Sequence, residues 1–156
     1  MRKTKTWNDN LNDVIRDVIF PDTELLELML IPESYKEDII RFVDKYFVKD
    51  VTSDELLTDE DVRICYFQEA GRSLGSHVNK KYLCFDIYVK DSVLHTATTD
   101  LLQSRDELIA EKLKELLTDK RYVCNLRFTF EDSYDLYTRT VGYHRYRITF
   151  SYKISF

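Results

Sequence analysis

"YHRYRITFSYKISF", residues 143–156, is the stretch of this 156-residue chain that decides the fold. Bulky apolar side chains take every second position, and polar side chains take the positions between them. The apolar set is Tyr146, Ile148, Phe150, Tyr152, Ile154 and Phe156, and the polar set is Arg145, Arg147, Thr149, Ser151, Lys153 and Ser155. Because successive side chains of a strand point to opposite faces, the alternation predicts a long strand with one wet face. Such strands are typical of antiparallel sheets.

The place of this final strand within its sheet has two interpretations. At an edge, its unpaired backbone would invite a strand from a neighbouring molecule, which is how rings and fibres extend. In the interior, the strand would only carry a charged outer face. The sequence favours neither interpretation over the other.

Three further stretches have strand character, and one has helix character. "VRICYFQ" (62–68), "KYLCFDIYVKD" (81–91) and "RYVCNLRFTFE" (121–131) are rich in β-branched and aromatic residues, which predicts strands. A helix is predicted from an apolar stripe at helical spacing, made of Leu101, Leu102, Ile109, Leu113, Leu116 and Leu117. Thr98 or Thr99 is expected to cap its N-terminus. Its predicted water-facing side consists of Gln103, Asp106, Glu107, Glu111, Lys114 and Glu115.

The N-terminal third of the chain has helical rather than strand periodicity. Apolar residues recur at helical spacing from Trp7 to Ile19, and Pro21 ends that helix. Asp22 or Thr23 is expected to cap a short second helix, and a third is expected to run to Phe47.

The predicted fold class is α+β. N-terminal helices (1–50) and an acidic connection (51–61) precede a mainly antiparallel four-stranded β-β-α-β-β sheet (62–156) with one long helix packed on it. We expect these segments to form one compact domain.

Composition and charge exclude several classes of protein. The chain is 44% hydrophobic, and no apolar run approaches the ~20 residues that a bilayer span needs, so a cytoplasmic globular fold is expected. Residues 1–61 hold 16 acids and 8 bases (net −8), while residues 62–156 hold 12 acids and 15 bases (net +3). No basic cluster is dense enough to indicate a nucleic-acid arm, so the asymmetry instead predicts an acidic face and a mildly basic face suited to stacking.

Motifs for metals, nucleophiles and phosphates are missing. Cys65, Cys84 and Cys124 are dispersed and are expected to fill strand positions, and the three histidines His77, His95 and His144 form no ligand spacing. A Cys84–His95 nucleophile pair has no local support. "GRSLGSH" lacks phosphate-loop spacing, and "EDSYDLYTR" (131–139) lacks the calcium-loop pattern. We therefore predict no cofactor and no metal.

The stretch "YLCFDIYVKD" (82–91) carries an acid and a lysine on one predicted strand face. Asp86 with Lys90 suggests a small metal-dependent nuclease, but the acid that such a motif needs two residues before the lysine is replaced by Tyr88. One carboxylate binds Mg²⁺ poorly. The alternative is a solvated strand face on which Asp86, Tyr88 and Lys90 form an exposed stripe.

Ten residues are candidate contacts with partner molecules. They occupy the loop 69–80 with the adjoining Lys81, the stripe just described and the loop 131–141: Arg72, His77, Lys80, Lys81, Asp86, Tyr88, Lys90, Tyr134, Tyr137 and Arg139. Loops of this length in small domains are commonly functional, and tyrosine supplies a large contact area at low entropic cost.

The run from "LCFDIYVKD" through "LLQSRDELIAEKLKELLTDKR" to "VGYHRYRITFSYK", with "VRICYF" before it, resembles the tail-terminator or head–tail neck proteins of long-tailed bacteriophages. The resemblance covers about residues 60–156 in element order and loop placement. It implies a non-enzymatic ring, usually of six subunits, that caps the tail tube and joins it to the head connector, with double-stranded DNA passing through the lumen as non-specific cargo.

That resemblance implies a virion protein of the neck or tail, made in the host bacterial cytoplasm and without membrane partners. Its partners would be other copies of itself, the tail-tube protein and the head-completion or connector protein. Two alternatives remain beside it: the Asp86/Lys90 nuclease, and a cytoplasmic adaptor that binds another protein through the helical block.

Overall fold

The computed structural model describes residues 7–36, 38, 45–49, 60–69, 71–95, 103–118 and 126–155. The helices are α1 (Trp7–Val14, continued by a π-helical turn Ile15–Ile19), α2 (Thr23–Leu28), α3 (Glu33–Lys36), α4 (Asp91–Leu94) and α5 (Arg105–Thr118). The strands are β1 (Phe47–Lys49), β2 (Val62–Glu69), β3 (Ser73–Gly75), β4 (Val78–Lys90), β5 (Thr129–Leu136) and β6 (Tyr143–Ser155).

These strands form one six-stranded sheet in the order β1-β2-β4-β6-β5, with β3 paired to β4. Every pairing is antiparallel except β1 with β2, which is parallel. The predicted α+β class with a mostly antiparallel sheet is confirmed. The predicted count of four strands is wrong, because Phe47–Lys49 adds a strand where a helix was expected and Ser73–Gly75 adds one within the predicted hairpin loop.

The final strand β6 lies in the interior of the sheet, between β4 and β5. Of the two interpretations of this strand, the edge position is therefore wrong. Among the described strands, β1 and β5 are the outermost, and β5 occupies Thr129–Leu136, where most of the loop 131–141 was predicted. A bulge between Phe130 and Asp132 interrupts the β5–β6 register.

The apolar core lies between one face of the sheet and the helices. Leu83, Phe85, Ile87 and Val89 of β4 are all fully buried there, as their alternation predicted. They belong to one hydrophobic cluster with helix residues from both ends of the chain, including Leu11, Ile19, Leu25, Ile109, Leu113 and Leu117. Each such side chain contributes about 1.5–3 kcal/mol by leaving water. The cluster holds α1, α2 and α5 against the sheet.

Capping residues fix the ends of α2. The Asp22 carboxylate accepts a hydrogen bond from the backbone N–H of Leu25 at 2.8 Å, so the predicted cap at Asp22 is confirmed. At the other end, the Ile31 N–H donates to the Leu26 carbonyl and the Leu30 N–H donates to the Glu27 carbonyl. These two hydrogen bonds form a Schellman motif, in which Leu30 adopts the left-handed conformation with φ 57°.

The helix α5 is the longest helix of the described residues. Its stripe residues Ile109, Leu113 and Leu117 are buried as predicted. The predicted caps Thr98 and Thr99, together with Leu101 and Leu102, lie outside the described residues, as does Cys124. The prediction that Asp106 faces water is wrong, because this side chain is completely buried.

Candidate functional site

The polar face of the sheet is organised around the buried carboxylate of Asp86. Strand pairing sets Asp86 opposite Arg147 and Tyr88 opposite Arg145. Arg147 donates from Nε to Oδ1 at 2.6 Å and from Nη2 to Oδ2 at 2.9 Å, and Arg145 donates from Nε to Oδ2 at 3.1 Å. Hydrogen bonding to this carboxylate raises the pKa of Arg147 above its ordinary value. One acid therefore neutralises part of the charge of two guanidinium groups.

Aromatic side chains support both guanidinium groups. The Arg145 guanidinium lies 5.6 Å from the Tyr88 ring centroid, and that of Arg147 lies 5.0 Å from the Phe67 ring centroid. Asp86 and Tyr88 are consequently 0% and 1% exposed. The predicted exposed stripe of Asp86, Tyr88 and Lys90 is therefore wrong for its first two members, because long arginine side chains from β6 cover the face that was expected to be wet.

The same geometry bears on the nuclease alternative. Both Asp86 oxygens accept guanidinium donors, so the carboxylate has cations where a metal ion would have to sit. Lys90 points elsewhere, with Nζ 3.5 Å from Oδ1 of Asp61. Asp86 and Lys90 are not brought together as a catalytic pair, and the arrangement favours a structural role for Asp86.

A second polar cluster joins α5 to the last two strands on the helical face. His144 contacts the buried Asp106 through Nδ1, and its Nε2 lies 3.4 Å from Oδ1 of Asp135. Asp106 also accepts hydrogen bonds from the Ser104 hydroxyl and from the Glu107 N–H, the latter at 2.9 Å. Ligand atoms of Asp106, Asp135 and His144 lie within 4.8 Å of one another, the spacing of a possible metal site.

Within the described residues, protein partners already occupy both His144 nitrogens and the Asp106 carboxylate. The cluster therefore works as a clasp between α5 and β5–β6. Sequence reasoning missed it, although "SRDE" (104–107) has capping-box spacing and the Glu107 carboxylate accepts the Ser104 N–H at 3.4 Å.

The basic residues of the predicted hairpin loop divide into two groups. Arg72 and His77 are exposed at the tip formed by β3 and the start of β4. Lys80 and Lys81 are half-buried, and Lys80 Nζ lies 2.9 Å from Glu131 Oε1 and 5.3 Å from the Tyr82 ring centroid. The hairpin is thus anchored at its base to β5, while its tip is accessible.

The most exposed apolar surface lies on β5 and in the turn that follows it. Tyr134, Tyr137 and Val141 are 43%, 82% and 95% exposed, and the other large exposed apolar side chains of the described residues are Leu30 and Leu74. Arg139, between Tyr137 and Val141, is exposed as well. The predicted contact residues of this region are therefore accessible to a partner.

The two described cysteines fill strand positions, as predicted. Cys65 and Cys84 are free thiols and both are buried. Burial raises the pKa of Cys84 to about 11, which is opposite to the lowered pKa of a nucleophilic cysteine. Its Sγ contacts the Thr149 hydroxyl at 3.7 Å. In the described part of the chain, no helix is long and apolar enough to cross a membrane.

Comparison with known proteins places the chain in a family. A sequence model of the YomW family matches residues 12–152, which includes both the helical block and the sheet. The chain belongs to the YomW family. The name is that of a phage-derived gene of the SPβ-type Yom series, which indicates a phage protein. The family name thus supports the phage origin that the sequence resemblance implies, and it specifies no role in the neck or tail.

Other comparisons give no function for this YomW-family chain. No curated protein matches it. Eight chains of solved structures match, and one of them has a TM-score of 0.46 and 10% identity over 86% of this chain and 96% of its own. A likeness at this level indicates nothing about function.

Proposed function

We propose that this YomW-family protein is a structural component of the phage head–tail neck. It forms a ring that terminates the tail tube and joins it to the head connector, with DNA passing through the lumen. The observation that carries the proposal is the accessible apolar surface of β5 and the following turn, where three of the five large exposed apolar side chains lie. Exposed apolar groups of this kind mark contacts with other proteins.

The edge position of β5 supports assembly in a second way. Half of its residues or more are exposed, and β5 is the last strand on its side of the sheet among the residues that the structure describes. Edge strands of monomeric proteins are usually protected, because their unpaired backbone groups attract other strands. The strand β5 carries the acidic residues Glu131, Asp132 and Asp135, whose charge disfavours pairing with unrelated strands. The exposed ring of Tyr134 offers contact area to a specific partner.

The Asp86 network favours this proposal over the nuclease alternative. A catalytic carboxylate has to present at least one oxygen to a metal ion or to water. Asp86 is instead completely buried beneath Arg145 and Arg147. The network stiffens the centre of the sheet, which suits a subunit that transmits load between the head and the tail.

Native mass spectrometry of the full chain tests the proposal. We expect a ring, of six subunits if the neck resemblance holds, either alone or after mixing with the tail-tube and head-connector proteins of the same phage. Electron microscopy of the same samples should show a central channel. A chain that stays monomeric in all of these mixtures would overturn the proposal.

A further inference from the structure

Two carboxylates and one imidazole meet where α5 packs against β5 and β6. Asp106 of α5 is completely buried and contacts Nδ1 of His144. On the opposite side of the imidazole ring, Nε2 lies 3.4 Å from Oδ1 of Asp135, whose side chain is 69% exposed. The cluster therefore extends from an acid in the protein interior, through a histidine, to an acid at the surface.

The charge of this cluster is not balanced by a lysine or an arginine of the described residues. Asp13 and Asp86, the other buried acids in this part of the chain, each accept hydrogen bonds from arginine. Asp106 accepts instead from a serine hydroxyl, from a backbone N–H and from His144. The charged partner of Asp135 is also His144. With a neutral imidazole the cluster carries two negative charges, and buried charges in proteins are either paired or bound to metal ions.

The outer contact of the cluster has the spacing of two metal ligands. The 3.4 Å between His144 Nε2 and Asp135 Oδ1 is longer than an ordinary N–H···O hydrogen bond. In a tetrahedral zinc site, bonds of about 2.0–2.2 Å to nitrogen and oxygen place neighbouring ligand atoms about 3.3–3.4 Å apart. Imidazole nitrogen and carboxylate oxygen are also ligand types that zinc binds. A zinc ion therefore fits between these two atoms without separating them further.

The inner contact prepares the imidazole for such an ion. A histidine that binds a metal usually donates its other N–H to a carboxylate, which fixes the tautomer and the orientation of the ring. When His144 donates from Nδ1 to Asp106, the lone pair of Nε2 faces Asp135. Asp106 is itself held in place by the Ser104 hydroxyl and by the Glu107 N–H at 2.9 Å. The arrangement is therefore fixed before an ion arrives.

We propose that His144 Nε2 and Asp135 Oδ1 bind a zinc ion, with Asp106 as the acid that orients the imidazole. The side chains of His144 and Asp135 are 34% and 69% exposed, so the ion enters from solvent and water fills its remaining positions. Its two positive charges balance the two carboxylates. The sequence shows no ligand motif because the three residues come from three different elements. The bound ion ties β5 to β6 and α5 within one subunit, so this inference does not rest on the proposed ring.

Isothermal titration calorimetry of the full chain with zinc chloride at neutral pH tests the site. We expect one zinc ion per chain, and an affinity at least tenfold lower in His144→Ala and in Asp135→Asn. The matched controls are His77→Ala and Asp132→Asn, since both remove an exposed group of the same type outside the cluster and should leave the affinity unchanged. Circular dichroism melting confirms that each variant is folded.

NMR of the imidazole ¹⁵N nuclei supplies a second measurement. Zinc should shift the Nε2 resonance of His144 and leave its Nδ1 protonated, while the resonances of His77 stay in place. Unchanged His144 resonances would mean that a proton alone balances the cluster, and this would overturn the site. Zinc binding that is equally strong in His144→Ala or Asp135→Asn would overturn it as well. Native mass spectrometry in the presence of EDTA tests the ring separately, so the two proposals fail independently.

Discussion

Asp86 of β4 and Arg147 of β6 lie directly opposite each other, and the Arg147 Nε is 2.6 Å from the Asp86 Oδ1. Because Arg145 also donates to this carboxylate, Asp86 is the main counter-charge at the centre of the polar face, and Glu69 adds a longer contact of 3.9 Å to Arg147. Breaking a buried ion pair on one side leaves the other charge without compensation, which costs far more than the net value of the pair.

We therefore expect Asp86→Asn to lower the free energy of unfolding by about 3–5 kcal/mol, because two largely buried guanidinium groups lose their counter-charge. Urea denaturation measures the change. Asp132→Asn, which removes an exposed carboxylate from β5, should change stability by less than about 0.5 kcal/mol. If Asp86→Asn fails to fold, Asp86→Asn combined with Arg147→Met should recover folded protein. A change as small as that of the control would contradict the structural role of Asp86.

This network also marks the limit of what the sequence predicts. The alternation in "LCFDIYVK" (83–90) correctly predicts which side chains share a face, since that follows from strand geometry alone. It does not predict that Asp86 is buried. Burial depends on the register that sets Arg147 opposite Asp86 and Arg145 opposite Tyr88, and strand register is not contained in either local pattern.

In the helical N-terminal third as well, local features were predicted correctly and features that depend on distant residues were not. Asp22 was predicted as a cap because a side-chain oxygen before an apolar run satisfies free N–H groups locally. Phe47 and Val48 were predicted as helical or as connection, yet pairing with Ile64 and Cys65 makes them a parallel strand. That partner lies across a long stretch of chain, so the tertiary contact overrides the local preference. The Asp106–His144 clasp escaped prediction for the same reason.

The left-handed backbone of Leu30 predicts that glycine at this position stabilises the protein. Leu30→Gly removes the penalty of the left-handed conformation, so we expect the monomer to gain about 0.5–1 kcal/mol in urea denaturation. Leu30→Asn should give a smaller gain than Leu30→Gly, because asparagine tolerates the left-handed conformation better than leucine but less well than glycine. A less stable Leu30→Gly monomer would contradict the assignment of strain.

Gly71 permits a close approach between the hairpin and its base. A Cβ atom built at this residue lies 1.4 Å from the Lys80 carbonyl oxygen, which is backbone and cannot move aside cheaply. We expect Gly71→Ala to open the β3–β4 hairpin, and hydrogen exchange of residues 72–80 should rise at least tenfold. Gly75→Ala is the control, since a Cβ there has nothing within 4 Å. Equal protection in the two variants would show that the close approach is absent in solution.

Glu131 predicts a pH dependence of stability. Hydrogen bonds from Ser151 and then from Lys80 hold the pKa of its carboxyl below the ordinary value of 4.5. A depressed pKa in the folded state stabilises the protein above the unfolded value, and this stabilisation is lost as the pH falls through the folded value. The stability advantage of the wild type over Glu131→Gln should therefore be constant from about pH 5 to neutrality and should decline below about pH 4.5.

Thermal melts of the two proteins between pH 3 and pH 7 measure this difference. The advantage is expected to be modest, because the Glu131 side chain is 32% exposed and solvent screens its pair with Lys80. Asp132→Asn again serves as the comparison on the same strand. An advantage that grew on acidification would mean that protonated rather than ionised Glu131 binds Ser151 and Lys80, and the anchoring of the hairpin base to β5 would then need another explanation.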